Sequence, residues 1–114
     1  MSTPIFQPVP SLMFVGLDDD LADECAKALP QLQVLRVKHA AGAVERMVVT
    51  RPLVVVVDET VSDANAALVV DCANDIRAEV IRASAALRAG LAEQVRSAAL
   101  RAESKREAET ARRV

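Results

Sequence analysis

One short stretch limits the fold of this chain more than any other. Residues 53–57 read Leu-Val-Val-Val-Val and stand between Pro52 and Asp58. Five consecutive β-favouring apolar residues between such boundaries describe a strand. Without polar alternation it has no face for water, so it belongs in a parallel sheet covered on both sides.

The flanking sequence supplies matching units. Residues 12–17 form a continuous apolar run that ends in Asp18, Asp19 and Asp20. Beyond it Leu21, Ala22, Cys25, Ala28 and Leu29 recur at spacings of three and four, and Pro30 stops the helix they define. A second strand is expected over 32–37, and a second helix over 41–49 with Ala41, Val44 and Val48 inward. A third helix is expected over 61–76 with Leu68, Val69, Cys72 and Ile76 on one face, followed by a fourth strand over 79–83. After Ser84 the chain is rich in Ala, Leu, Arg and Glu, with Gly90 and no Pro, which reads as one long helix. The opening residues carry Pro4, Pro8 and Pro10 without any period. The expected organisation is a flexible lead-in over 1–11, an α/β core over 12–85 and a C-terminal helix over 86–114.

A chain of 114 residues closes one core and has nothing left for a second. Its apolar side chains are mostly small, with 21 Ala and 17 Val against two Phe and no Trp or Tyr, so stacking platforms for bases or sugars are missing. Cys25 and Cys72 lie far apart and His39 is the single histidine, which excludes a zinc cluster from one copy and suggests buried, reduced thiols. His39 itself reads as a surface residue. The net charge of -2 conceals an acidic body and a basic tail. Because Glu93, Glu103, Glu107 and Glu109 interleave with the tail's basic residues, the tail reads as a solvated face and not as a nucleic-acid surface. No apolar run suits a membrane span and the N-terminus lacks a basic start, so a cytoplasmic location is expected.

Strands alternating with helices at this spacing imply right-handed crossovers and a parallel sheet with helices on both faces. Sites in such sheets lie at the carboxyl ends of strands, where the strand order reverses. Asp18 and Asp19 follow the first strand and Asp58 follows the third, so neighbouring strands would bring these carboxylates to one crevice.

In this order and separation the segments resemble a response-regulator receiver domain of two-component signalling. Residues 14–29 are similar to its first strand, acidic pair and first helix; residues 53–58 to its third strand and phosphoacceptor; residues 79–85 to its fourth strand and switch Ser/Thr. The resemblance implies a flavodoxin-like fold shortened after the fourth strand and ending in a long helix. It implies that Asp18, Asp19, Asp58 and the backbone oxygen of Thr60 hold a Mg²⁺ ion weakly. It also implies that Asp58 accepts the phosphoryl group and that Ser84 acts as the switch. A hard divalent cation suits such an oxygen set, and it can offset charge on a carboxylate nucleophile.

Two departures stand out. The Lys that receivers carry after a fifth strand has no counterpart, since only Lys105 follows Ser84, in a polar helical stretch. The 30 or so residues left after Ser84 also cannot form a helix, a strand and a further helix of ordinary length. The expected function is therefore a stand-alone receiver-like or pseudo-receiver module. It acts through contacts with a kinase or effector protein and is not an enzyme beyond taking and losing its own phosphoryl group. The alternative is a small regulatory domain of the anti-sigma-factor-antagonist type, with a mixed sheet and with Ser62 as the phosphorylated residue. Finally, Leu87, Leu91, Val95, Ala98 and Ala102 draw an apolar stripe along the last helix. That helix is longer than a sheet of short strands, so its part beyond Ala102 is expected to project and to support a homodimer.

Overall fold

The computed structural model describes residues 10–84 and 89–112. Each apolar run becomes a strand: β1 (Ser11–Val15), β2 (Gln33–Val37), β3 (Val54–Asp58) and β4 (Glu79–Ala83). Between and after them lie α1 (Asp19–Ala28), α2 (Ala40–Thr50), α3 (Asp63–Asp75) and α4 (Leu91–Arg112). All pairings are parallel and the strand order is β2-β1-β3-β4, so β3 sits beside β1 with Leu12 opposite Val54 and Val15 opposite Val57. The fold is a shortened flavodoxin-like α/β sheet.

The pleat distributes the core. Leu12, Phe14, Val54, Val56 and Ala83 point to one face, where they meet Leu21, Ala22 and Cys25 of α1 and Leu91, Val95, Ala98 and Ala102 of α4. Met13, Val15, Val55 and Val57 point to the other face, against Ala40, Ala43 and Met47 of α2 and Ala66, Val69 and Ala73 of α3. Local signals mark the helix ends. Asp18 caps α1 by accepting from the Leu21 amide at 2.8 Å, and Ser62 caps α3 by accepting from the Asn65 amide at 3.3 Å.

One helix is rotated from its expected face, and a second departs from it in part. In α2 the buried residues are Ala40, Ala43 and Met47, while Ala41 is exposed and Val48 is 66% exposed. In α3 they are Ala66, Val69 and Ala73, while Leu68 is 58% exposed and Cys72 half-buried. In α2 the spacing is as expected and the phase is shifted, whereas in α3 Val69 and Ile76 are buried as expected and Leu68 alone of that face is exposed. Small residues let these helices sit close to the sheet, which outweighs burying one more branched side chain.

The last helix also departs from expectation. It runs antiparallel to the strands, and Ala102 is fully buried. Beyond it Arg106 donates to the carbonyls of Arg51 (3.0 Å), Pro52 (2.8 Å) and Ile76 (3.0 Å), and Glu109 pairs with Arg77 at 3.2 Å. The stretch expected to project is thus docked. The turns beneath β3 and β4 lengthen the platform beyond the strands themselves. Leu87 lies outside the described residues. None of the helices among the described residues is long and apolar enough to cross a membrane.

Candidate functional site

The strand order reverses between β1 and β3, which makes their carboxyl ends the place to examine. After β1 the chain turns through Gly16, whose φ is +75° and whose amide donates to the Val37 carbonyl at 2.8 Å. A Cβ on Gly16 would lie 3.1 Å from Val61 Cγ2 and 3.7 Å from Asp58 Cβ. Glycine therefore lets the β3–α3 turn close over the end of β1.

Asp58 ends β3 half-buried. Its Oδ2 accepts from the Thr60 amide at 3.0 Å and from the Thr60 hydroxyl at 2.5 Å, an Asx turn that folds the chain back on the carboxylate. Two further bonds hold this turn. The Glu59 amide donates to the Ala83 carbonyl at 2.9 Å, and Arg82 Nη2 donates to the Val61 carbonyl at 3.0 Å. Beside it opens a hollow of about 390 Å³ lined by Gly16, Lys38, His39, Thr60, Ser62 and Asn65, among others. Thr60 joins the two, since it holds Asp58 and lines the hollow.

The remaining expected site residues are engaged separately. Asp18 is turned into α1 as its cap. Asp19 is exposed in the first turn and lies 3.6 Å from the Arg36 guanidinium, which also binds Asp23. Ser84 follows β4, partly buried, next to the Ala83 carbonyl that Glu59 uses. Among the described residues, no group of three or more His, Cys, Asp or Glu side chains is gathered closely enough to hold a metal ion. The acidic residues here serve as a cap, an ion pair and a turn, an arrangement that does not fit a shared Mg²⁺ ion.

His39 is exposed, as expected, and precedes α2 without a side-chain capping bond. Burial pushes the Cys25 thiol up, with Glu24 adding to the effect, and burial followed by Asp75 does the same for Cys72. Both shifts favour the protonated thiol over the nucleophilic thiolate. Sequence reading overlooked Lys38, Asn65 and Arg82. For Lys38 a signal was available, since it directly follows the second strand and so sits at the same sheet edge as Asp58. Arg82 gave none, because its role depends on the neighbouring turn.

Compared with known protein families, curated proteins and solved structures, the chain matches none.

Proposed function

We propose that this protein is a receiver-like module that signals through protein–protein contacts, a pseudo-receiver whose carboxyl-edge surface is the contact region. The observation that carries the reading is Asp58 at the end of the central β3, beside the point where a fully parallel sheet reverses its strand order. An antagonist-type domain would need a mixed sheet, so the all-parallel pairing favours the receiver-like reading over that alternative. Ser62, the residue that alternative would phosphorylate, is occupied as the cap of α3.

Three features support contact without a phosphoryl switch. The Asp58 carboxylate is already bound twice by Thr60. Among the described residues the carboxylates are not gathered into a cation cage. Arg82, from the neighbouring β4, is committed to the Val61 carbonyl, and Lys38 lines the hollow on the far side of Thr60. The test is treatment with acetyl phosphate and Mg²⁺ followed by mass analysis of peptides, with beryllofluoride-treated amide spectra alongside. The expected result is no stable label and only local shifts near Asp58. A label on Asp58 with shifts spreading to Ser84 and α4 makes the protein a phosphorylated receiver and overturns the pseudo-receiver proposal. A label on Ser62 replaces it with the antagonist-type function.

A further inference from the structure

We infer that the distal part of α4, from Glu103 on, is a polar strap fastened by Arg106, which opens as one unit while the rest of the fold stays intact and opens more readily as ionic strength rises. This goes beyond the reading above and makes no use of Asp58 or the carboxyl edge. Its failure would leave that reading untouched.

The helix is held in two different ways along its length. Up to Ala102 it buries Leu91, Val95, Ala98, Ala99 and Ala102 against the sheet, each no more than 8% exposed. Past Ala102 none of the described side chains is buried. Arg106 and Glu109 are half-buried, and Glu103, Ser104, Lys105, Glu107 and Ala108 are exposed. A helical extension without apolar contact gains little from propagation alone, so polar contacts keep the last turns in place.

Arg106 carries most of them. Arg51 and Ile76 are the C-caps of α2 and α3, so two of the three carbonyls it closes belong to helix C-termini, which are partly negative and lack intrahelical partners. Since α2 and α3 pack on the opposite face of the sheet from α4, Arg106 reaches under the lower edge and ties the two layers together. Two ion pairs flank it, Lys105 with Glu79 at 3.3 Å and Glu109 with Arg77 at 3.2 Å. Glu79 also binds Arg101 at 3.0 Å, on the seated part of the helix, so it keeps a partner when Lys105 leaves.

This division sets how the strap moves. Residues 103–106 run between a seated residue, Ala102, and a fastened one, Arg106, so they cannot fray one at a time. They come free when Arg106 does. Opening gives the last carbonyls of α2 and α3 to water and leaves both core faces packed, which is a sub-global event and not unfolding. Salt shortens the reach of the flanking ion pairs, because the Debye length falls from about 10 Å at 0.1 M to about 3 Å at 1 M. The apolar stripe up to Ala102 has no such dependence.

Native-state hydrogen exchange on the full chain reads the strap directly. The amides of Lys105, Arg106, Glu107 and Ala108 are expected to share one protection factor, at least about tenfold below those of Val95, Ala98 and Ala102. Raising sodium chloride from about 0.1 to 1 M is expected to lower it a further three- to fivefold or so, with the seated amides unchanged. In Arg106→Ala the Cα shifts of residues 103–109 are expected to move to coil values while those of 91–102 stay helical, and Arg106→Lys is expected to fall between. Strap amides as protected as the seated ones overturn the inference. So does protection that declines step by step from Ala102 onward, protection indifferent to salt, or a folded Arg106→Ala variant whose residues 103–109 remain helical. The wild-type exchange decides the matter even if Arg106→Ala does not fold.

Discussion

Arg106 shows how one side chain settles where a helix ends up. It lies near the end of a polar, Glu- and Arg-rich stretch that reads as solvated, yet its guanidinium closes three backbone carbonyls beneath β3 and β4. Burial pulls its pKa below the usual arginine value, with Arg51 adding to the effect, though the group stays charged. Hydrogen bonds from a charged donor are worth more than neutral ones. Arg106→Ala should therefore lower unfolding stability by about 2–3 kcal/mol in a urea titration, and Arg106→Lys should recover only part, because a point charge cannot reach all three oxygens. Gly16 acts at the same scale. Its positive φ and the 3.1 Å approach to Val61 predict a loss of about 1–3 kcal/mol for Gly16→Ala. Amide shifts in that variant should concentrate in residues 58–62, the turn that Gly16 admits. Neither role is legible in the sequence, where Gly16 is one glycine in an apolar run and Arg106 one of several tail cations.

At the scale of elements, α4 separates pattern from placement. Its stripe was readable as Leu91, Val95, Ala98 and Ala102, but what the stripe covers was not. An Ala-rich stripe suits a smooth sheet face as well as another helix, and only the positions of β3, β4 and their lower turns choose between them. Ala102 is fully buried while Leu100 is 61% exposed, which makes the docking testable. Ala102→Glu should destabilise by about 3 kcal/mol or more by burying an unpaired carboxylate, whereas Leu100→Glu should stay within about 0.5 kcal/mol of wild type.

The link between α4 and β4 also carries a pH dependence. Burial pushes the Glu79 carboxyl up, but hydrogen bonds from Arg101 and Lys105 outweigh it and hold the carboxyl below its ordinary value of 4.5. A group depressed in the folded state contributes stability above its unfolded pKa and loses it as pH falls through the folded value. Urea midpoints measured downward from pH 6 should therefore fall more steeply below about pH 4.5 in wild type than in Glu79→Gln. Equal slopes would show that this ion pair adds nothing across that range.

For the whole molecule, the sheet order predicts a gradient of protection. Central β1 and β3 have both faces and both edges covered, so their amides should exchange only through global unfolding. On β2 the outward amides of Val34 and Arg36 should exchange quickly. On β4 the outward amides of Val80 and Arg82 should exchange as quickly as these. Hydrogen exchange followed residue by residue measures this, and outer-edge amides as slow as those of β1 and β3 would overturn the gradient.

The sequence by itself determined the strands, their order along the chain, the helix spacings and the position of Asp58 after the central strand. These follow from local rules: apolar runs of strand length, Pro and Asp at their ends, and capping residues at helix starts. It left open the phase of α2, because residues 41, 44 and 48 satisfy a helical period as well as residues 40, 43 and 47 do. It also left open the partners of the acidic residues. Asp18, Asp19 and Asp58 look alike in the chain, yet one caps a helix, one pairs with Arg36 and one binds Thr60. Those outcomes depend on groups brought near by the fold, through charge and hydrogen-bond geometry that act over a few ångströms of space and have no counterpart in sequence spacing.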